Sequence, residues 1–239
     1  MLQVIIGTQP NQYLAQRVLE HSIHRFASRE VRVRCVEQDQ ASPGGTRFGF
    51  VRFLVPSLCN FEGKAVYLDA DQVVLADIYE LADQLRKPCA IGIVRKLEGT
   101  FAGAPLEPRN ETSVMVLDCE QLGAWQPPEL FDSVVPNGAP LGEGKLHYRD
   151  FMRLAWEDEA RIQEIDPRWN HYNFVRDDTK LVHFSHVREQ PWKRPGHAFT
   201  RFWEGWLADT LAAGELSRAD VLKAVARLHV HPYFLKHLF

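Results

Sequence analysis

Two aspartates, Asp69 and Asp71, are the residues of this sequence best suited to chemistry by type and spacing. They stand at positions i and i+2 directly after the apolar residues 65–68, so both side chains point to the same side of an extended backbone. Two carboxylates a few ångströms apart repel each other by roughly 3–4 kcal/mol at an effective dielectric near 20. A shared proton, a basic partner or a divalent cation must offset this repulsion. Since hard oxygen ligands favour Mg²⁺ or Mn²⁺, a divalent cation is one such solution.

Two other interpretations of the acidic pair stay open from the residues alone. In the first, Asp69 and Asp71 end a strand and cap the next turn, although the apolar residues 73–75 bury the backbone there and hinder solvation of the charges. In the second, residues 69–73 match the Asp-x-Asp-x-Val/Thr motif of haloacid-dehalogenase-type phosphatases, whose first Asp is a nucleophile. That motif normally lies on the first strand of its domain, whereas a strand–helix–strand unit precedes Asp69.

The elements that must position these acids follow an α/β pattern. Apolar residues 3–6 and the alternating residues 31–35 predict two strands, and apolar positions at helical spacing from Tyr13 to Phe26 predict the helix between them. Such an opening is typical of α/β domains with parallel strands, whose ligands bind outside the carboxyl ends of the strands. The remaining predictions are strands at 65–68, 89–94, 114–117 and 179–184, a loop at 98–110, and helices after Thr46, at 148–158 and twice after Ala198, the last beginning with a capping box at Ser217.

Composition excludes several classes of protein. The 239 residues are 45% hydrophobic and 25% charged, which is ordinary for a globular chain. A net charge of −3 provides no basic field for nucleic acid, and the apolar runs are far shorter than the ~20 residues that span a bilayer. The first residues predict a strand and not a signal peptide. Four scattered cysteines predict reduced, buried thiols in a cytoplasmic protein, at Cys35, Cys59, Cys89 and Cys119.

Four motifs in sequence order resemble family 8 glycosyltransferases, the glycogenin-like and lipopolysaccharide galactosyl- and glucosyl-transferase group with the GT-A fold. These motifs are Ile5-Ile6-Gly7-Thr8-Gln9 with Arg52, residues 66–71, residues 112–118, and residues 180–184 with Gln190-Pro191-Trp192. The resemblance implies a Rossmann-like α/β domain over residues 1–195, with a mostly parallel central sheet flanked by helices. Residues 196–239 would then form a C-terminal helical subdomain.

The resemblance also implies an activity and a set of site residues. The activity is retaining transfer of a hexose from a nucleotide sugar, usually UDP-linked, to a carbohydrate, lipid-linked or protein acceptor, assisted by Mn²⁺ or Mg²⁺. Asp69, Asp71 and His183 would bind the metal, and Arg52 and Asp69 would also face the reacting sugar. The other residues placed near the donor by the resemblance are Gly7, Thr8 and Gln9 at the uracil and ribose, Ala70 between the two acids, Asn170 near the sugar, and Arg188 or Lys193 at the diphosphate.

The sequence departs from the family pattern at two places. Glu111-Thr112-Ser113 replaces the usual Asn-x-Gly, and Gln190 replaces a lysine that would contact the diphosphate. These departures keep open a catalytically silent protein of the same fold that binds a nucleotide sugar or a partner. They also leave open whether His183 is a structural residue, with His186 as the reserve ligand.

Two aromatic segments have alternative interpretations. Residues 169–173 combine aromatic and amide groups, which suits either a sugar site or a loop anchored by Trp169. The C-terminal tryptophans Trp203 and Trp206 suit a helical lid on the core, or, with Arg201 and Lys193, contact with a membrane surface or a lipid-linked acceptor.

Overall fold

The computed structural model describes residues 1–38, 48–97, 108–126, 129–194 and 196–238. Its strands are β1 Leu2–Gly7, β2 Val31–Val36, β3 Lys64–Asp69, β4 Gln72–Val74, β5 Ile91–Leu97, β6 Pro108–Asp118, β7 Val134–Val135, β8 Leu146–His147, β9 Ile162–Glu164, β10 His171–Tyr172 and β11 Leu181–His183. Its α-helices are α1 Tyr13–Phe26, α2 Val51–Leu58, α3 Ile78–Ala82, α4 Glu129–Asp132, α5 Tyr148–Met152, α6 Thr200–Ala212 and α7 Arg218–Ala226. Short 3-10 helices cover Pro10–Gln12, Cys119–Gln121, Glu159–Arg161, Pro167–Asn170 and Pro232–Leu238.

A six-stranded sheet in the order β2-β1-β3-β6-β5-β9 forms the centre of the molecule. β1 pairs in parallel with β2 and β3, and β5 pairs in parallel with β9. β6 is antiparallel to both of its neighbours, so it alone runs against the other strands of this sheet. This arrangement confirms the expected α/β fold with a mostly parallel sheet.

Both faces of the central sheet are covered, which explains why its inner strands are apolar on both sides. Val4, Val66 and Val116 lie in one hydrophobic cluster with Leu19 and Ile23 of α1. On the opposite face, alternate residues of the same strands share a second cluster with α2, including Ile5, Tyr67, Met115 and Phe53. The sheet therefore fixes both helices, and α2 carries Arg52 towards the carboxyl end of β3.

The two C-terminal helices lie against α1 and share a third hydrophobic cluster with it. Trp203 of α6 is 1% exposed and contacts Trp192 and Phe234. Of the two interpretations that the sequence left open for Trp203, its burial favours the helical lid over contact with a membrane surface, because the indole is enclosed by other rings. Trp206 is half-buried against α1, beside Phe26. The domain division at residue 195 stays a prediction.

Within the described ranges, no helix is long and apolar enough to cross a membrane. The capping box predicted at Ser217 is confirmed, since Ser217 and Asp220 exchange side-chain and backbone hydrogen bonds at the start of α7. The predicted helix after Thr46 corresponds to α2, whereas Thr46 itself lies outside the described residues.

Three expectations from the sequence need correction. The helix expected over 148–158 ends at Met152, because Leu154 adopts a left-handed backbone conformation with φ of 60° and turns the chain so that Trp156 stacks on Phe151. The loop expected over 98–110 is shorter at its end, since β6 already begins at Pro108; residues 98–107 lie outside the described part. The cysteines are all free, yet they are not all buried: Cys35 is exposed and Cys89 is half-buried, whereas Cys59 and Cys119 are buried.

Candidate metal and substrate site

Two strand pairings bring His183 beside the acidic pair. Asp69 is the last residue of β3, and Asp71 directly precedes β4. β4 is antiparallel to β11, with Gln72 opposite His183, and the Phe184 amide donates to the Asp71 carbonyl at 2.9 Å. Backbone hydrogen bonds therefore hold the segment around residue 183 beside Asp71. The convergence expected of Asp69, Asp71 and His183 is confirmed.

The three side chains form a compact group that fits a divalent cation. One ligand atom from each of Asp69, Asp71 and His183 lies within 4.8 Å of the others, and all three residues are buried. His183 Nε2 is 3.2 Å from Asp71 Oδ1, an oxygen that is buried without a hydrogen-bond partner. A buried carboxylate oxygen of this kind requires a compensating charge. Two carboxylates and one imidazole are a donor set suited to Mn²⁺ or Mg²⁺.

Asp69 is held by two buried side chains that leave one of its oxygens available. Oδ1 accepts from Arg52 Nη2 at 2.8 Å and from the Tyr67 hydroxyl at 2.6 Å. Arg52 also donates from Nη1 to Thr112 Oγ1 at 2.8 Å. Burial raises the pKa of Asp69; the Arg52 charge opposes this rise and the Asp71 charge adds to it. The carboxylate is thus fixed in position, while burial and the Asp71 charge still disfavour its ionised form.

A hydrogen-bond relay behind the site orients His183. The Asn170 side chain accepts from His183 Nδ1 at 3.1 Å and donates to Ser113 Oγ at 3.0 Å. This arrangement places the imidazole proton on Nδ1 and leaves the Nε2 lone pair facing the acids, as metal-binding histidines require. Asn170 is 1% exposed and lies on the Nδ1 side of His183; its contact with the sugar stays a prediction.

The residues after β11 show how this chain departs from the family pattern at residue 190. Gln190 is buried and donates from Nε2 to Asp71 Oδ2 at 2.8 Å, so it positions the Asp71 carboxylate where the family pattern has a lysine. Lys193 is half-buried and donates to the Val187 carbonyl at 3.0 Å. Burial lowers the pKa of Lys193, and the nearby Asp71 charge opposes this shift. His186 and Arg188 are exposed on the same segment.

Gly7 leaves the space that the Tyr67 hydroxyl occupies beside Asp69. It lies opposite Asp69 in the β1–β3 register, and its carbonyl accepts from the Ala70 amide at 3.1 Å. A Cβ atom at Gly7 would come within 2.2 Å of the Tyr67 hydroxyl oxygen, which is the group that donates to Asp69. Thr8 follows with its backbone bonded to Val36 and its buried hydroxyl without a partner, and Gln9 is half-buried.

Asp69, Asp71 and His183 face a cavity of about 450 Å³. It is large enough for part of a small-molecule substrate. Asp69, Asp71, His183 and Arg52 line one end, and Arg149 and Arg153 line the other. Thr112 lies between them, because its hydroxyl bonds both Arg52 and the Met152 carbonyl. The described lining does not include Gly7, Thr8, Gln9, Ala70, Asn170, Arg188 or Lys193.

A bulge in β6 forms the wall between the two ends of the cavity. Ile93 of β5 pairs with Met115, but the next residue, Val94, pairs with Glu111. Glu111, Thr112 and Ser113 are consecutive and all line the cavity, which regular alternation along a strand would not allow. The bulge therefore supplies three neighbouring polar side chains to one side of the sheet.

Glu111 is fixed at both carboxylate oxygens. Arg109 Nε lies 2.5 Å from Oε1, and the Tyr172 hydroxyl donates to Oε2. Burial raises the pKa of Tyr172, and the Glu111 charge adds to this shift. The tyrosine therefore stays protonated and keeps donating. Glu111 is thus a positioned and partly neutralised carboxylate.

Sequence reasoning missed several residues of this site. Tyr67 could have been found, because it stands two positions before Asp69 and hence on the same side of the strand. Tyr172 lies in the aromatic and amide segment 169–173, which carried a signal but no specific role. Thr112 belongs to a recognised motif but had no assigned role, and Arg109 carried no signal. The place of both residues in the cavity depends on the bulge.

Solved glycosyltransferases share this fold. The galactosyltransferase LgtC, solved with donor and acceptor sugar analogues, matches with a TM-score of 0.60 and 12% identity over 90% of this chain and 100% of its own. The glycosyltransferase GlyE of Streptococcus pneumoniae TIGR4 matches with a TM-score of 0.63 and 14% identity over 86% of this chain. The bifunctional glycosyltransferase WbbM matches with a TM-score of 0.62 and 14% identity over 87% of this chain. The chain spans 59% of GlyE and 49% of WbbM. The fold is thus the GT-A fold of glycosyltransferases.

Sequence comparison identifies a relative at greater identity. Protein CDI of Arabidopsis thaliana is 30% identical over 220 residues, which cover 80% of this chain and 79% of the plant protein. This chain belongs to the same family as protein CDI. No family model matches the sequence.

Proposed function

We propose that this protein is a glycosyltransferase that moves a hexose from a UDP-linked sugar to an acceptor hydroxyl, with retention of configuration and with the help of Mn²⁺ or Mg²⁺. The observation that carries the proposal is the convergence of Asp69, Asp71 and His183 at one end of a cavity of about 450 Å³. The GT-A fold of the chain supports transferase activity. The family 8 assignment belongs to this proposal and rests on the motifs of the sequence.

The metal ligands have a clear chemical purpose in such a reaction. The negative charge that develops on a departing nucleoside diphosphate is of the kind that a divalent cation stabilises as a Lewis acid. Asp69 and Asp71 would hold the cation with one oxygen each, and His183 with Nε2. Arg52 and Tyr67 keep Asp69 in position, while Gln190 and Asn170 do the same for Asp71 and His183.

We assign contacts with the nucleoside of the donor to the loop after β1, and contacts with its diphosphate to the segment after β11. Thr8, with its buried and unpartnered hydroxyl, and Gln9 would contact the nucleoside. Lys193, whose ammonium lies in the field of Asp71, would contact the diphosphate in place of the lysine that Gln190 replaces. Arg188 is exposed on the surface and is the weaker candidate for this role.

A thermal-shift and calorimetric titration tests the metal and nucleotide part of the proposal. We expect UDP and Mn²⁺ together to raise the melting temperature, because both bind only the native arrangement. Asp71→Asn should abolish Mn²⁺-dependent UDP binding while the fold is retained. Asp83→Asn, at an exposed aspartate, is the matched control. Unchanged metal-dependent affinity for UDP in Asp71→Asn would refute the site.

A turnover assay separates the enzyme from its alternatives. We expect slow hydrolysis of UDP-sugars in the presence of Mn²⁺, since a live site transfers some sugar to water. Binding of UDP-sugars without any turnover would favour the silent nucleotide-sugar-binding protein. The phosphatase alternative loses support, because Asp69 ends the third strand along the chain and one of its oxygens is occupied by Arg52 and Tyr67. The cytoplasmic location stays a prediction from the sequence.

A further inference from the structure

Outside the group of Asp69, Asp71 and His183, the described lining of the cavity is strongly basic. It includes Arg109, Arg149 and Arg153, and Glu111 is the one carboxylate among the described lining residues outside the acidic pair. Glu111 is already paired with Arg109. A neutral sugar needs hydroxyl and amide partners and gains little from several guanidinium groups, whereas these groups match carboxylates and phosphates in shape and charge.

The structure holds two of these arginines on one side of a docked helical turn. The Arg153 amide donates to the Arg149 carbonyl at 3.1 Å, so the two residues lie one turn apart. Asn110 donates to the Arg153 carbonyl at 3.0 Å, and Thr112 donates to the Met152 carbonyl at 2.8 Å. Both donors belong to the first half of β6. The strand that forms the wall of the cavity thus also fixes α5 and the two arginines at its rim.

Arg149 and Arg153 bring two positive charges to the cavity lining. Arg149 belongs to α5, Arg153 directly follows the last residue of that helix, and both side chains line the cavity. Among the described residues, Asp150 lies within ion-pair distance of Arg149, at 3.7 Å, but it does not line the cavity. A carboxylate or phosphate bound between the two guanidinium groups would pair with both charges.

We propose that the acceptor is an anionic molecule whose carboxylate or phosphate binds Arg149 and Arg153 while its hydroxyl reaches the metal end of the cavity. This inference rests on the proposed function, because it assigns the two ends of one cavity to donor and acceptor. Arg109 and Glu111 lie between the ends. As a neutral pair bonded also to Tyr172, they contact the uncharged part of the acceptor.

Binding of simple sugars to the protein saturated with UDP and Mn²⁺ tests the proposal. The probes are glucose, glucuronate and glucose 6-phosphate, and the readout is the dissociation constant from calorimetry. We expect glucuronate, glucose 6-phosphate or both to bind about tenfold or more tightly than glucose. The double variant Arg149→Gln/Arg153→Gln should lose this preference. Arg201→Gln, at an exposed arginine of α6 outside the cavity, should keep it.

The outcomes separate this inference from the proposed function. Equal affinity for glucose and both anionic probes, or a preference that survives in the double variant, overturns the inference while UDP and Mn²⁺ still bind. Failure of the wild-type protein to bind UDP and Mn²⁺ overturns the proposed function itself. UDP-glucuronate and UDP-glucose should bind equally well. A preference for UDP-glucuronate that depends on Arg149 and Arg153 would place the anion on the donor and overturn its assignment to the acceptor.

Discussion

Asp69 illustrates how much a single carboxylate of this site depends on its immediate neighbours. Its charge is buried beside another acid, and Arg52 and Tyr67 compensate for part of that burial. Gly7 in turn leaves the space that Tyr67 needs. The chemistry of the site therefore extends to residues that do not touch the substrate.

Substitution of Gly7 tests this dependence. Gly7→Ala should lower the free energy of unfolding by about 1–3 kcal/mol, because the new methyl group would overlap the Tyr67 hydroxyl. It should also weaken Mn²⁺ binding, since Tyr67 would move away from Asp69. Denaturant unfolding and a Mn²⁺ titration measure the two effects.

Two further variants make the Gly7 prediction specific. Gly7→Ala/Tyr67→Phe should recover part of the lost stability, because removal of the hydroxyl removes the closest overlap. Gly123→Ala should be nearly neutral, since nothing lies within 4 Å of its added Cβ. If Gly7→Ala were as stable as Gly123→Ala, Gly7 would not have the role assigned to it.

The raised pKa of Asp69 predicts how pH affects stability with and without metal. Since burial raises this pKa in the folded chain, the folded state binds the proton more tightly than the unfolded state, and this contribution to stability is lost as the pH rises through the folded pKa. A metal needs the ionised carboxylate. We therefore expect the rise in melting temperature caused by Mn²⁺ to grow between about pH 5 and about pH 7.5. A constant rise over this range would contradict the prediction.

At the scale of elements, the bulge of β6 connects helix α2 with helix α5. Thr112 lies in the bulge and accepts from Arg52 of α2 while it donates to the Met152 carbonyl at the end of α5. One hydroxyl thus connects the helix that supports Asp69 with the helical turn that carries Arg149 and Arg153. The two ends of the cavity share this connection.

Replacement of Thr112 tests the connection. Thr112→Val keeps the side-chain shape but leaves a buried guanidinium donor and a carbonyl without their partner, so it should lower the free energy of unfolding by about 1–3 kcal/mol. Thr200→Val is the matched control, because the Thr200 hydroxyl is buried without a partner and its removal should be neutral or stabilising. Equal denaturation midpoints for the two variants would argue against a connecting role of Thr112.

At the scale of the whole molecule, the C-terminal helices support the segment that carries Gln190. Trp192 follows this residue closely and contacts Trp203 of α6, which in turn contacts Phe234. The His231 amide also donates to the Trp192 carbonyl at 2.8 Å. The end of the chain therefore holds the loop that positions Asp71.

A comparison of two tryptophans of α6 tests this long-range support. Trp203→Ala should cost about 3–5 kcal/mol of unfolding free energy, as expected for a large buried ring, and should weaken Mn²⁺ binding in the fraction that remains folded. Trp206→Ala, at a half-buried ring against α1, should cost less and leave metal affinity unchanged. Equal metal affinity in folded Trp203→Ala would separate the C-terminal helices from the site.

The sequence was informative where local spacing decides the structure and uninformative where distant strands must meet. The strand before Asp69 and the i, i+2 spacing predicted the acidic pair and its place at the sheet edge. His183 followed from a motif, because nothing local shows that β11 pairs with β4. The bond from Gln190 to Asp71 and the approach of Tyr67 to Gly7 depend on tertiary contacts. The shortened α5 depends on the backbone of Leu154, whose residue type gives no warning of a positive φ.

The register change in β6 has a consequence for where this protein can accept substitutions. Residues 114–118 pair with β3, whereas residues 108–111 pair with the second half of β5. We therefore expect substitutions at Arg109 or Glu111 to change which acceptor binds while the strand pairing beside Asp69 is kept. One half of this strand supports the acids, and the other half can vary with the acceptor.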